Sequence, residues 1–115
     1  MKTNYATGHA AEKTAADYLA KNGYKIRQLN WKTRYCEIDI IAEKAKVIHF
    51  VEVKYRRTSA QGSGLDYITP SKLRQMHLAA TAWAQENQWP GDYVLSAVEL
   101  SGQDFRVSAF LADIT

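Results

Sequence analysis

The segment His49-Phe50-Val51-Glu52-Val53-Lys54 constrains this chain more than any other. It puts a carboxylate and an ammonium inside a strand whose remaining residues are apolar or aromatic and should be buried. Side chains alternate along a strand, so Glu52 and Lys54 share one face, about 6.6–6.8 Å apart. Charged side chains are almost never fully buried without a partner. A site for a metal ion and a phosphate would account for both charges.

The preceding segment adds a second acid. Cys36-Glu37-Ile38-Asp39-Ile40-Ile41-Ala42 reads as a strand rich in β-branched residues, and Val47 to Tyr55 reads as the next one. Glu43-Lys44-Ala45-Lys46 between them is short enough for a hairpin, although it lacks an Asn-Gly or Asp-Gly turn. Pairing Ala42 with Val47 sets Asp39 opposite Phe50, and a tighter turn on Lys44-Ala45 gives the same register. Asp39 then shares a sheet face with Phe50, Glu52 and Lys54, and Glu52 is its diagonal neighbour at roughly 7–8 Å. Two carboxylates so arranged can converge on one divalent cation. A one-residue slip would turn Asp39 to the other face and dissolve the constellation.

The rest of the chain supplies a frame for this hairpin. Thr7 to Asn22 reads as an alanine-rich helix stopped by Gly23, and Tyr24 to Trp31 as a first strand. Arg57 to Ile68 has the glycine and serine content of a mobile loop. Thr69 caps a second helix opened by Pro70 and running to about Glu86. Its spacing predicts that Leu73, Met76, His77, Ala80, Trp83 and Ala84 turn inward. Tyr93 to Leu100 and Phe105 to Leu111 form a terminal hairpin. The order α-β-β-β-α-β-β implies an α/β fold with helices packed on a mixed sheet.

Composition sets outer bounds. With 115 residues, 46% of them hydrophobic and 23% charged, the chain is expected to be one domain spanning residues 1–115 with a substantial core. The lone cysteine, Cys36, rules out an intramolecular disulfide or a multi-thiolate zinc site and favours a reducing cytosol. No apolar leader opens the sequence, and no apolar run approaches the roughly 18 residues of a membrane span. A cytoplasmic protein without membrane attachment is therefore expected. A net charge of +3 permits a polyanionic partner without demanding one.

The first helix contributes a third acid. Ala15, Ala16 and Leu19 lie three, four and seven residues after Glu12, so Glu12 turns with the helix's most apolar residues toward the sheet. Taken alone it reads as a boundary residue whose carboxylate reaches water. Beside Asp39 and Glu52 it becomes a candidate ligand or water-orienting base.

In this order of helix Glu, strand Asp and strand Glu-x-Lys, the residues resemble the PD-(D/E)xK nuclease superfamily and its restriction-endonuclease-like fold. The chain is more closely similar to the YraN family of small bacterial proteins. That family reads Gly-Glu-x-x-Ala in helix one, Asn-Trp-Arg and Gly-Glu-Ile-Asp-Leu-Ile before the hairpin, and Phe-Val-Glu-Val-Lys after it. Ala11-Glu12-Lys13-Thr14-Ala15, Asn30-Trp31-Lys32, Cys36-Glu37-Ile38-Asp39-Ile40-Ile41 and Phe50-Val51-Glu52-Val53-Lys54-Tyr55-Arg56 match these stretches. Lys72 matches the family's basic position opening helix two. The family's two motif glycines are Ala11 and Cys36 here, and Cys36 adds a side chain where the family keeps the backbone bare. The resemblance spans residues 8 to about 84 and implies a restriction-endonuclease-like core carrying nuclease-like acids.

The implied chemistry is hydrolysis of a phosphodiester in DNA, with branched or single-stranded substrates favoured. Asp39, Glu52 and the backbone carbonyl of Val53 would hold Mg²⁺ or Mn²⁺, which favour oxygen ligands. Lys54 would stabilise charge in the transition state, and Glu12 would complete the catalytic set. Arg56, Arg57, Lys72 and Arg74 are candidates for contacts to the nucleic-acid backbone, against a plain reading as a solvated rim. Trp31, Tyr35, Tyr55 and Tyr67 could stack on bases, with core packing preferred for Trp31. Glu37 reads as edge exposure or an ion pair, and His9, His49 and His77 lack zinc-site spacing. The competing class is a nucleic-acid-binding or protein-interaction module that keeps the fold without turnover. A purely structural cluster of Glu12, Asp39, Glu52 and Lys54 is least attractive, because it buries net negative charge.

Overall fold

A computed structural model of the chain describes residues 4–57 and 68–115, with side chains described from residue 8 onward in the first helix. Its elements are α1 (Asn4–Lys21), β1 (Lys25–Lys32), β2 (Glu37–Lys44), β3 (Val47–Arg56), α2 (Pro70–Glu86), β4 (Asp92–Ser101) and β5 (Arg106–Leu111). This is the expected α-β-β-β-α-β-β order, and it carries the restriction-endonuclease-like architecture. The loop expected at Arg57 to Ile68 falls almost wholly outside the described residues.

The strands form one sheet in the order β1-β2-β3-β4-β5. Among the described strands only β3 and β4 pair in parallel, and parallel neighbours need a crossover, which α2 provides. The helices cover opposite faces. Ala11, Ala15, Ala16 and Leu19 of α1 pack on Ile40, Ala42, Val51, Val98 and Leu100. Met76, Ala79, Ala80 and Trp83 of α2 pack on Ile38, Ile41, Ile48, Phe50 and Leu95. The alanines of α1 leave little side chain between helix and sheet, so the helix backbone can approach closely.

The start of α2 follows from its cap. Thr69 Oγ1 accepts the Lys72 N–H at 3.1 Å, and Pro70 occupies a position whose N–H would be unsatisfied in any case. The inward stripe differs from expectation. Met76, Ala79, Ala80 and Trp83 are buried, whereas His77 is exposed and Ala84 only half-buried. The large Met76 and Trp83 set the rotation of the helix, and that rotation leaves His77 outside.

The β2–β3 register also departs from expectation. Lys44 pairs with Val47 and Ile41 with Phe50, so Asp39 does not face Phe50. The turn is Ala45-Lys46, both with positive φ (53° and 66°). Two such residues make the hairpin turn whose twist matches the flanking strands. The shift is by two residues rather than one, so parity is preserved along the paired residues as far as Ile40↔Val51.

Candidate functional site

The β2–β3 ladder runs from Lys44↔Val47 to Ile40↔Val51, and Asp39 is the next residue on β2. Here the alternation of β2 breaks. Ile40 and Ala42 belong to the α1-side core, while Ile38 and Ile41, three apart, belong to the α2 side. Across β1, where Leu29 pairs with Ile40 and Trp31 with Ile38, the intervening Asn30 has a φ of 53°. Asparagine tolerates this left-handed backbone better than most residues. The Asp39 carboxylate takes the place of a backbone acceptor, receiving the Val53 N–H at 2.8 Å.

A polar pocket of about 310 Å³ opens at this break. It draws on both helical layers and on the strands between them. Gly8, Ala11 and Glu12 come from α1, Glu37 and Asp39 from β2, Glu52, Val53, Lys54 and Tyr55 from β3, and Lys72 from α2. The three acids expected to act together, Glu12, Asp39 and Glu52, therefore line one cavity with Lys54. Glu52 lies 3.4 Å from Lys72 Nζ, and Glu12 Oε1 lies 3.5 Å from His9 Nδ1.

Two residues gain a place that sequence reasoning withheld. With its amide turned to satisfy both neighbours, Asn30 donates to Glu12 Oε1 at 2.8 Å and to Glu37 Oε2 at 3.1 Å. It thereby ties α1 to the edge of β2. Glu37 belongs to the pocket wall rather than to a remote edge. The available signal was the Asn30-Trp31-Lys32 stretch, in which asparagine marks an unusual backbone.

Electrostatics follow from this crowding. Burial, reinforced by the Glu52 charge, pushes Asp39 up to about 8, against the lowering effect of the Val53 N–H. Burial also raises Glu52, while Lys72 and, more weakly, Lys54 pull it back down. Asp39 therefore keeps its proton at neutral pH in the metal-free chain. Desolvation and neighbouring like charge are the causes.

Other expected site residues lie apart. Arg56 turns inward, with Nε 2.8 Å from Glu99 Oε2 and both side chains largely buried. Its guanidinium is part of the fold, because a buried Glu99 needs a partner. Arg57 and Arg74 are exposed, and Arg74 borders a separate apolar groove with Leu73, His77, Leu78, Leu95 and Thr115. Lys54 stays at the pocket but is exposed, so the strand's apolar context buries Glu52 far more than Lys54. Trp31 packs against the α2-side core as expected. Tyr55 joins the α1-side core and donates to the Gly102 carbonyl at 2.9 Å. Tyr35 is 37% exposed, and Tyr67 lies outside the described residues. His49 is buried, with Nδ1 2.9 Å from Ser96 Oγ, and burial lowers its pKa. Cys36 is half-buried against the α2-side core.

Among the described residues no three His, Cys, Asp or Glu side chains form a ready-made metal cage. Mg²⁺ and Mn²⁺ do not require one, since a few carboxylates and several waters suffice for such hard cations. Asp39, Glu52 and the Val53 carbonyl are hard oxygen donors. The proton retained by Asp39 is one that a divalent cation would displace. The donor chemistry fits such an ion.

No helix of the described residues is long and apolar enough to cross a membrane. The profile of the uncharacterised protein family UPF0102 matches residues 11–107, a span holding Glu12, Asn30, Glu37, Asp39, Glu52, Lys54 and Lys72. A UPF0102 protein of Trichlorobacter lovleyi is 43% identical over 88 residues, covering 76% of this chain and 69% of the relative. One of Sulfurihydrogenibium is 42% identical over 96 residues, covering 83% and 84%. One of Rhodococcus opacus is 40% identical over 87 residues, covering 76% and 74%.

Proposed function

The chain belongs to the UPF0102 family, the YraN family its motifs resemble, and from that membership and the acid pocket we propose a metal-dependent nuclease. The observation that carries this reading is Asp39. It is held by the Val53 N–H, set beside Glu52 in a pocket shared with Lys54, and kept from ionising by burial and like charge. Ionising Asp39 beside Glu52 in such surroundings costs stability. A divalent cation would relieve it.

Asp39, Glu52 and the Val53 carbonyl would hold Mg²⁺ or Mn²⁺. When bound, the cation would polarise a phosphoryl oxygen and acidify a coordinated water. The Val53 N–H fixes one Asp39 oxygen and leaves the other for the site. Lys54 would stabilise the negative charge that grows on the phosphoryl group in the transition state. Glu12, steadied by Asn30, would orient the attacking water. The favoured substrate is DNA, branched or single-stranded. The acids are set back between two helical layers, where an unpaired strand reaches more easily than a regular duplex.

Incubation of the protein with Mn²⁺ and a panel of labelled single-stranded, branched and duplex DNAs tests the reading. The parent should cut at least one substrate. Lys54→Ala should lose cleavage by about 100-fold or more while keeping metal and DNA binding, because its contribution belongs to the transition state. Salt-sensitive DNA binding with metal bound at the acids but without cleavage would favour a binding module instead.

A further inference from the structure

Lys72 sits where helix electrostatics disfavour it. It lies in the first turn of α2, three residues after the Thr69 cap, and no acidic residue shares that turn. The N-terminal end of a helix carries partial positive charge and favours anions. Compensation comes from the sheet, where Glu52 Oε1 lies 3.4 Å from Lys72 Nζ, with both side chains largely withdrawn from solvent. Both groups line the pocket that also holds Glu12, Glu37, Asp39 and Lys54. Four carboxyl groups thus face two ammonium groups, and Lys72 contacts one of the carboxylates that a metal would take.

Building on the metal-dependent reading, we propose that Lys72 is the resident counter-ion of this pocket, holding Glu52 in the metal-free protein and competing with the divalent cation for it. The ammonium limits repulsion among the acids before metal arrives. It also sets a threshold, because loading requires enough free cation to displace it. Lys54 is the less suited of the two lysines, being the more exposed.

Calorimetric titration of Mn²⁺ at pH 8 into the parent, Lys72→Met and Lys72→Arg tests this. Lys72→Met removes the competitor and should bind Mn²⁺ about fivefold more tightly or better. Lys72→Arg keeps the charge and should bind no more tightly than the parent. Without metal, Lys72→Met should melt below the parent, and saturating Mn²⁺ should erase the deficit. Lys72→Gln carries the same expectations and replaces Lys72→Met if that variant fails to fold. Equal or weaker Mn²⁺ binding by the neutral variants, with binding retained by the parent, overturns the counter-ion role and leaves the metal-dependent reading standing. A parent that binds no Mn²⁺ removes that reading and this inference together.

Discussion

At Asp39 the fold retains a proton that the proposed chemistry needs removed. The carboxyl would ionise near pH 4 in the unfolded chain but holds its proton to about pH 8 when folded. Between those values the folded state binds more protons, so this group's contribution to stability falls as pH rises through the window. Asp39→Asn cannot ionise and still offers an acceptor to the Val53 N–H. It should match the parent near pH 4 and exceed it by several kcal/mol, at most about 5, at pH 8. Urea unfolding at several pH values checks this, and parallel pH profiles would mean that Asp39 ionises freely. Arg56 is the opposite case, a charge committed to the fold. Arg56→Ala strands Glu99, which is only 5% exposed, and should cost about 3 kcal/mol. An unchanged melting temperature would return Arg56 to the solvated rim.

Among the elements, the hairpin between β2 and β3 controls the site's register with unfavourable turn residues. Ala45 and Lys46 both adopt positive φ, a backbone that Asn and Gly accept more readily. The double substitution Ala45→Asn, Lys46→Gly should therefore stabilise the chain by about 1 kcal/mol, read as a higher denaturation midpoint, with Mn²⁺ affinity unchanged. Loss of stability would mean a different turn and a different register. Ala45-Lys46 also explains why the register expected from sequence differs by two residues from the folded one: the turn advertises nothing in sequence. By contrast α2 runs from Pro70 to Glu86 as read, because Thr69-Pro70 is a local signal with a direct mechanism. The misplacement of His77 is subtler. Helical spacing defines a stripe, but the bulk of Met76 and Trp83 against Phe50 and Leu95 decides which edge of it faces the sheet.

For the molecule as a whole, chain order carried the grouping of Glu12, Asp39, Glu52 and Lys54, since each sits in a segment whose pattern fixes its element. Contacts between distant elements were not legible. Lys72 reaches Glu52 from the first turn of the crossover helix, and Arg56 meets Glu99 across the parallel pair. Only the assembled sheet reveals that Asn30 and Asp39 break the alternation at one level and open a pocket between the two helical layers. Nuclease chemistry at this site requires that pocket to hold a divalent cation. Crystals grown with Mn²⁺ and measured at a wavelength where manganese scatters anomalously test it most directly. The predicted result is an anomalous peak within about 2.0–2.3 Å of carboxylate oxygens from both Asp39 and Glu52, lost in Glu52→Gln. Ordered manganese elsewhere, with the two carboxylates unengaged, would rule out metal-dependent chemistry at this pocket.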